Sequence, residues 1–592
     1  MLRTILDEYR ENLEYNRDKG DRFERLVRAF LKLAPQYASL FSDVWLWKDW
    51  PEREAFGYRL PDTGIDIVAK LREEEGYCAV QCKFQQSKVT VDDIASFIAL
   101  SGKGGFTRRL LVATAPLNTN ADDMLAGQTI PVSELSLEEM EEAPLDWSAF
   151  SLEKPEELKK TPSKQPRPHQ TEALEAVLRG FETHERGKLV MACGTGKTYT
   201  SQLVAEKMVP VGGHALFLVP SIALLSQTLR AWTEASPRPL RCFAVCSDSK
   251  AGKDNEDIRI HELSYPATTD ARKLGERLAI RDDERPTVLF STYQSIQVVH
   301  EAQQYSGVEF DLVVCDEAHR TSGYTPKGED HSNFVRIHDN GFIRARKRLY
   351  MTATPRIYAE SSKRKAKEDE TEVFSMDDES KFGPEFHRLR FGEAVERNLL
   401  SDYKVLVIAV DEEKIYEGLK YRIEDAGSEL KLDDAVKIMG CWSGIGKNFP
   451  ESDEVDISAD PLPMRTAIAF AGSIKYSQLA AKEFARISGD LGKSAPHLPR
   501  LEAGHVDGTM NVLERNQKIT WLKENADGSS PVCRILTNAR CLSEGVDVPS
   551  LDAAIFLSPR DSVVDVVQSV GRVMRKSPGK KYGYVILPIG IG

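Results

Sequence analysis

Short apolar runs alternate with helix-like segments in two separate parts of the chain, and this alternation limits the possible folds more than any other feature. One set lies between about residues 168 and 355, and the other between about 400 and 588. Runs such as HALFLVP and RTAIAFA lack the polar alternation of a half-exposed strand. Strands of this kind are covered by helices on both faces. The pattern predicts two parallel α/β sheets in tandem.

The chain length requires more than one hydrophobic core, because 592 residues exceed what a single domain accommodates. The expected division is an N-terminal domain over 1–147, a Pro- and Lys-containing linker over 148–166, a first lobe over 167–395 and a second lobe over 396–592. Within these lobes we expect a charged, irregular connector over 356–395 and an insertion over about 416–463.

Composition favours a protein of the reducing cytoplasm. The nine cysteines are odd in number and scattered without a CxxC pair, which speaks against a disulfide framework or a zinc site. No apolar run approaches the length of a membrane span, so no membrane partner is expected. The net charge of −12 is a weak objection to nucleic-acid binding, because binding requires a local basic track and not a basic total.

A Gly-rich turn follows the run KLVMAC and opens a helix-like segment. The turn residues are Gly194, Thr195, Gly196, Lys197 and Thr198. Backbone N–H groups at a helix N-terminus bind phosphate, so the turn predicts a P-loop for ATP. Lys197 would contact the β and γ phosphates, and Thr198 would ligate Mg²⁺. Met191 stands where the general pattern has its first Gly.

Two carboxylates end the apolar run FDLVVC. Asp316 is our predicted second contact to the ATP-bound Mg²⁺, and Glu317 our predicted base that orients the attacking water. Taken alone, the string DEAH is also compatible with a strand end followed by a helix cap. Because a P-loop lies about 120 residues upstream, the combination indicates ATP hydrolysis.

Several further motifs recur in a characteristic order. They are Arg167-Pro168-His169-Gln170, Thr352-Ala353-Thr354-Pro355, Thr537-Asn538, Glu544 to Pro549, and QSVGRVMR from Gln568 to Arg575. Together with the P-loop variant they resemble the superfamily 2 helicases and translocases from Arg167 to the end, and hence two RecA-like lobes. The resemblance implies that Gln170 reads adenine and that Gln568, Arg572 and Arg575 act on the nucleotide across the cleft.

Two stretches of the first lobe look like the motifs with which these enzymes track a nucleic-acid strand. They are FLVPSIALLSQT over 217–228 and STYQSI over 291–296. Phosphate contacts from both lobes would let a motor move along DNA whatever its sequence. A buried strand followed by a turn is nearly as good an interpretation of each stretch alone.

The N-terminal stretch GIDIVAKLREEEGYCAVQCKF predicts a β-hairpin of half-buried strands with REEEG as its polar connection. In that register Asp66, Gln81 and Lys83 converge, and Glu24 on the first helix could join them. Cutting a phosphodiester with Mg²⁺ requires a carboxylate for the metal and a cation for the charged transition state. Asp66 and Lys83 supply this pair, with Asp66 as the metal ligand.

This constellation resembles the Mrr-like branch of the PD-(D/E)xK nucleases, in which Gln81 stands where most relatives carry an acid. Pro61-Asp62 matches the family's letters but lies four residues early, so Asp66 is taken as the ligand. Two alternatives stay open. In the first, the hairpin presents an exposed polar face on which Lys83 is solvated. In the second, the domain derives from a nuclease but has lost its activity.

The fusion of these parts resembles the N-terminal half of the type ISP restriction enzymes, and the stretch from Met376 to Val405 adds to the likeness. The resemblance implies an ATP-dependent translocase on double-stranded DNA coupled to an Mg²⁺-dependent endonuclease. The methylation motif and the target-recognition domain of that family are absent here, so we expect a part of a longer protein. The alternatives are a DNA helicase in repair or phage defence whose N-terminal domain binds without cutting, and an RNA-remodelling enzyme.

Overall fold

The structure, a computed structural model, describes the chain outside a set of excluded positions. These are residues 13–15, 59–63, 127, 151–154, 247–262, 327–330, 370, 412–431, 449–459, 493–494, 526–531, 540–550, 561, 578 and 592. The described residues form three sheets of five, eight and six strands and one two-stranded ribbon. The expected α/β class, with an N-terminal domain before two parallel-sheet lobes, is confirmed.

The N-terminal domain is built on a five-stranded sheet of order β1-β2-β3-β4-β5. Its first three strands are antiparallel, and β3, β4 and β5 are parallel. Its elements are α1 (Leu2–Asn12), α2 (Asn16–Leu33), α3 (Pro35–Leu40), β1 (Phe41–Leu46), β2 (Ile67–Leu71), β3 (Tyr77–Lys83), α4 (Val91–Ser101), β4 (Phe106–Ala113), α5 (Thr119–Ala126), β5 (Val132–Ser136) and α6 (Leu137–Glu142).

The predicted hairpin forms from β2 and β3, with Ile67 opposite Val80. The expectation of half-buried strands is wrong, because four of the five β2 side chains are buried. Phe30 and other apolar residues of α2 cover one face of the hairpin, and an aromatic cluster that includes Trp50 and Phe97 covers the other. Cover on both faces explains why the two runs are almost continuously apolar.

The first lobe contains an eight-stranded parallel sheet of order β15-β6-β13-β11-β7-β10-β8-β9, beside the ribbon β12-β14. Its elements are α7 (Pro168–Thr183), β6 (Arg186–Met191), α8 (Lys197–Met208), β7 (His214–Val219), α9 (Ile222–Ala235), β8 (Arg241–Val245), β9 (Ala267–Thr268), α10 (Ala271–Ala279), β10 (Thr287–Thr292), α11 (Ile296–Ser306), β11 (Phe310–Cys315), β12 (Gly323–Thr325), β13 (Ala345–Thr352), α12 (Glu360–Glu368), β14 (Glu372–Phe374), α13 (Glu379–Phe382), β15 (Glu385–Leu389) and α14 (Phe391–Glu396).

The connector over 356–395 is not irregular, which corrects the expectation from sequence. It contains α12, α13 and most of α14, and its strand β15 pairs with β6 at the edge of the first sheet. The linker over 148–166 also packs back onto the fold. Leu145 bridges Lys160, and Leu158 is buried in the core shared by the N-terminal domain and the first lobe.

The second lobe contains a six-stranded parallel sheet of order β16-β21-β20-β17-β19-β18. Its elements are β16 (Asp402–Asp411), α15 (Leu432–Ile445), β17 (Thr466–Phe470), α16 (Ile474–Leu491), β18 (Arg500–Val506), α17 (Val512–Lys523), β19 (Val532–Asn538), β20 (Ala553–Phe556), α18 (Val563–Val573) and β21 (Tyr582–Ile591). Helix α15 falls within the expected insertion, most of which lies outside the described residues.

None of the described helices has the length and apolarity needed to cross a membrane. The eight cysteines within the described part of the chain are all free thiols.

Candidate active sites

The Gly-rich turn has the backbone shape expected of a P-loop. Gly194 and Gly196 have φ angles of +84° and +91°, and α8 begins at Lys197. A left-handed φ at two positions strains any residue with a Cβ, so the turn requires glycine there. The result is a concave run of N–H groups at the start of a 12-residue helix, which suits a phosphate chain.

Two side chains of the first turn of α7 hold the middle of this loop. The carbonyl of Thr195 lies 2.9 Å from Nε2 of His169 and accepts from Nε2 of Gln170 at 3.4 Å. The amide oxygen of Gln170 accepts from the Arg167 N–H at 2.9 Å. Gln170 therefore supports the P-loop, and adenine recognition by Gln170 stays a prediction. The role of His169 was missed, although it stands beside Gln170 in the same motif.

The predicted Lys197, Asp316 and Glu317 come together in the buried cleft, and Thr198 lies next to Lys197 in the first turn of α8. Burial alone would lower the pKa of Lys197, but Cys193, Glu317 and Asp316 raise it above its ordinary value. Lys197 is therefore a firmly charged cation where phosphate oxygens would lie.

The two acidic residues differ in their surroundings. Burial and the neighbouring Glu317 raise the pKa of Asp316. Burial also acts to raise the pKa of Glu317, but His319 and Lys197 outweigh it, so the pKa of Glu317 is lowered. Nδ1 of His319 lies 3.3 Å from the Glu317 carboxylate and 3.1 Å from Oγ1 of Thr352. Through His319, the DEAH motif contacts the TATP motif.

Helix α18 of the second lobe closes the cleft over the P-loop. A Cβ built on Gly571 would lie 2.7 Å from Cβ of Cys193, and one on Gly194 would lie 3.2 Å from Cγ of Arg575. Burial raises the pKa of the Cys193 thiol, while Lys197, Arg572 and Arg575 act to lower it. Both predicted arginines are therefore at the P-loop. The Gly571–Cys193 contact was not predicted.

The remaining motor motifs are partly described. Gln568 is buried, and Asn538 donates to the Ala469 carbonyl at 3.2 Å inside the second lobe. The stretch from Glu544 to Pro549 lies outside the described residues, so its predicted role is not addressed by the structure.

The predicted residues of the N-terminal hairpin also converge. Asp66 directly precedes β2, and its Oδ2 accepts from the Cys82 N–H at 2.6 Å. Burial, Asp66 and Glu24 raise the pKa of the Cys82 thiol, whereas Lys83 acts to lower it. Glu24 of α2, Asp66 before β2 and Lys83 at the end of β3 thus all lie near the Cys82 side chain. Pro61-Asp62 lies outside the described residues.

Gln81 completes this constellation. Its side chain is 2% exposed, and its amide oxygen has no hydrogen-bond partner. Within the described ranges, no group of three or more His, Cys, Asp and Glu residues is placed to hold a metal ion. A cation at Asp66 would therefore need oxygen ligands of another kind, and the amide oxygen of Gln81 is one.

The tip of the hairpin has a role beyond the polar connection that its sequence REEEG predicts. Glu73 accepts from Arg241 and Arg285 of the first lobe, each at 2.6 Å. Glu74 accepts from Arg277 of that lobe at 2.7 Å and from Arg108 of its own domain at 2.8 Å. We call this set of ion pairs the anchor.

Three family descriptions match successive parts of the chain. They are a restriction endonuclease family of the Mrr type over residues 32–157, the res subunit of type III restriction enzymes over 163–357, and the conserved C-terminal domain of helicases over 464–577. The order and the extents place the nuclease-like part before a two-part motor.

Two relatives extend this comparison. The structure of the ATP-dependent type ISP restriction-modification enzyme LlaBIII bound to DNA is 38% identical and aligns with a TM-score of 0.84, covering 99% of this chain and 37% of that one. The probable helicase A859L of African swine fever virus is 25% identical over 426 residues, which are 72% of this chain and 41% of the viral protein. The chain thus spans less than half of either relative. Its N-terminal part matches an Mrr-type restriction-endonuclease family, the rest matches two helicase-type families, and the whole resembles the corresponding part of the type ISP restriction-modification enzyme.

Proposed function

We propose that this chain is an ATP-driven translocase on double-stranded DNA that carries an Mg²⁺-dependent endonuclease. One observation carries the proposal: the hairpin that holds Asp66 and Lys83 at one end is anchored to the motor at the other. The anchor joins Glu73 and Glu74 to the first lobe, and one continuous apolar cluster runs through both domains. A cutting site fixed to a moving motor has an evident use on DNA.

In the motor, each predicted site residue would act on the part of the nucleotide nearest to it. The P-loop N–H groups and the Lys197 ammonium would bind the phosphates, and Thr198 and Asp316 would hold an Mg²⁺ that neutralises their charge. Glu317, oriented by His319, positions the attacking water. Arg572 and Arg575 come from the second lobe, so they stabilise the transition state only while the cleft is closed. Hydrolysis is thereby tied to motion of the lobes.

In the nuclease site, the carboxylate of Asp66 and the amide oxygen of Gln81 provide hard oxygen ligands of the kind Mg²⁺ prefers. Glu24 from α2 would add a further carboxylate to this site. When bound, Mg²⁺ activates a water and offsets charge on the phosphate. Lys83 stabilises the charged transition state from the same end of the sheet. The unpartnered Gln81 oxygen supports this assignment, because a buried acceptor without a donor is costly unless a ligand satisfies it.

A cleavage assay tests the nuclease assignment while ATP hydrolysis serves as an internal measure of folding. Asp66→Asn keeps an acceptor for the Cys82 N–H, and Lys83→Ala removes the cation. Each is expected to lower Mg²⁺-dependent nicking at least about a hundredfold with hydrolysis intact. Lys70→Ala, an exposed lysine of the same hairpin, is the control. Nicking by Asp66→Asn at the parental rate would falsify the nuclease site.

The motor assignment has its own test. Lys197→Ala is expected to abolish ATP hydrolysis, and with it any motor-dependent cleavage. Double-stranded DNA should stimulate hydrolysis more than single-stranded DNA or RNA does, whereas stronger stimulation by RNA would support RNA remodelling.

The likeness to a probable viral helicase favours one alternative, a strand-separating helicase whose N-terminal domain only binds DNA. Displacement of a triplex strand without unwinding of a flanking duplex supports the translocase. Unwinding in the same assay supports the helicase instead.

A further inference from the structure

The second lobe also contacts the nuclease domain, through the beginning and the end of α17. Asn511 caps α17 by accepting from the Glu514 N–H at 2.9 Å and donates from its Nδ2 to the Leu117 carbonyl of the nuclease domain at 3.2 Å. Leu513 is 4% exposed. It belongs to an apolar cluster whose other buried members, such as Val89, Ile94 and Leu117, all come from the nuclease domain.

The far end of α17 makes a second contact. Nζ of Lys523 lies 2.9 Å from Oε1 of Glu142 at the end of α6. The other carboxylate oxygen of Glu142 accepts from Arg230 of the first lobe at 2.7 Å. One carboxylate of the nuclease domain therefore joins both motor lobes.

The loops under α17 continue directly from the proposed nuclease site. Val89 lies six residues after Lys83 and exchanges backbone bonds with the loop that follows β4: its N–H donates to the Pro116 carbonyl, and its own carbonyl accepts from Asn118, both at 2.9 Å. Because β3 and β4 are parallel, the loops that follow them begin at the same end of the sheet, where Lys83 lies. The loops that α17 contacts therefore begin beside the proposed nuclease site.

The two attachments of the nuclease domain differ in strength. The anchor to the first lobe consists of ion pairs whose side chains are 4% to 23% exposed, and a continuous apolar cluster supports it. The attachment to α17 is smaller, because among the described side chains Leu513 is the one buried apolar residue that α17 adds to its cluster. The Glu142–Lys523 and Lys88–Glu514 pairs are 30% to 55% exposed, and ion pairs that open to solvent contribute little. In an ATP cycle that separates the lobes, this smaller contact is the one expected to break.

We propose that α17 and the nuclease domain form a latch, made by Asn511, Leu513 and Lys523 on Leu117 and Glu142, which is closed only while the motor cleft is closed. In this structure the latch and the closed cleft occur together, since Gly571 and Arg575 touch the P-loop. Nucleotide binding, which closes the cleft, then orders the loops beside the nuclease site. By linkage, the latch in turn favours nucleotide binding. The inference rests on the proposed ATP-driven cycle of the lobes.

Hydrogen-deuterium exchange of the whole chain, with and without AMP-PNP and Mg²⁺, tests the latch without depending on cleavage. In the parent, the nucleotide is expected to protect the P-loop amides and also those of residues 86–91 and 115–119. In Leu513→Ser, the P-loop protection should persist and the loop protection should vanish. Equal loop protection in both proteins overturns the latch. Missing P-loop protection in the parent overturns nucleotide binding itself, and the latch with it.

Kinetics provide a test with a milder substitution. Lys523→Gln is expected to raise the KM for ATP about twofold to fivefold with kcat nearly unchanged, as suits an exposed ion pair. Glu138→Gln is the matched control, because Glu138 lies on the same helix as Glu142 but pairs with Arg3 inside the nuclease domain. Parental KM values in both Lys523→Gln and Leu513→Ser would rule the latch out.

Discussion

At the scale of single residues, Gly196 of the P-loop has little freedom to change. Its φ is +91°, and a Cβ there would lie 2.3 Å from Nε2 of Gln170, the group that supports the Thr195 carbonyl. Gly196→Ala is expected to lower ATP hydrolysis at least about a hundredfold, because the donors of the loop would no longer point at the phosphates. Steady-state ATPase assays measure this.

Gly489→Ala is the control for that substitution. Gly489 lies in the helix α16, and a Cβ there meets nothing within 4 Å. Alanine also has the higher helix propensity, so this variant should hydrolyse ATP as the parent does. Hydrolysis by Gly196→Ala at the parental rate would contradict the proposed role of the loop shape.

Glu234 on α9 gives a prediction about pH. Burial raises the pKa of Glu234 from 4.5 to about 7, although Arg230 and Lys164 act to lower it. Between these two values the folded chain binds more protons than the unfolded chain, so the free energy of unfolding falls as pH rises, by about 2 to 3 kcal/mol. Glu234→Gln removes this loss, because an amide does not titrate.

Thermal unfolding at pH 5 and pH 8 checks this prediction. The Tm of Glu234→Gln relative to the parent should be higher at pH 8 than at pH 5. An identical pH dependence in both proteins would show that Glu234 does not titrate in this range.

The residues found from sequence share a property that explains why they were found. Lys197, Asp316 and Glu317 belong to short motifs in which neighbouring residues would contact the same ligand. Glu142 and Leu513 have no such signature, since each meets its partners from another domain. A polar or apolar residue of ordinary kind gives no hint of a contact several hundred positions away.

Between elements, the anchor at the tip of β2–β3 can be tested by removing one carboxylate. Glu74→Gln leaves Arg277 and Arg108 without their partner, and a half-buried ion pair broken on one side costs about 1 to 3 kcal/mol. We expect a lower Tm and weaker attachment of the nuclease domain, detected as faster proteolysis between residues 148 and 166. Glu75→Gln, an exposed neighbour, should leave both unchanged.

The strands that the sequence predicts and those that it does not predict differ in their position within the sheets. Central strands such as β7, β11 and β17 are buried on both faces and therefore have nearly continuous apolar sequences. The unpredicted β15 and β18 lie at sheet edges and keep most side chains partly exposed. Edge strands carry polar residues, so periodicity does not separate them from loops. By contrast, β8 is a short buried run that the same criterion could have identified.

At the scale of the whole molecule, nucleotide should stabilise the chain by joining the two lobes. A ligand at a hundred times its Kd adds about 2.7 kcal/mol, which corresponds to a rise in Tm of about 2 to 5 °C for the motor. AMP-PNP with Mg²⁺ is expected to produce this rise in the parent and none in Lys197→Ala. A rise of equal size in Lys197→Ala would place the nucleotide elsewhere.

The domain order and the fold of each part could be predicted from sequence, but their packing could not. The stretch over 148–166 was expected to be a linker, which would allow the nuclease domain to move freely. Instead it packs back through Leu158, and the two domains share one apolar cluster. Composition indicates which segment lies between two hydrophobic cores, but not whether that segment packs against the neighbouring domains.

The anchor of Glu73 and Glu74 has a consequence for where DNA would be cut. A nuclease on a slack tether samples many positions, so its cuts would scatter over a range of base pairs. A nuclease fixed to the first lobe would lie at one distance from the phosphates that the lobe would contact. Each cut would then fall a constant number of base pairs from the point at which the enzyme stalls, and sequencing the ends of cleaved DNA would show a single sharp spacing.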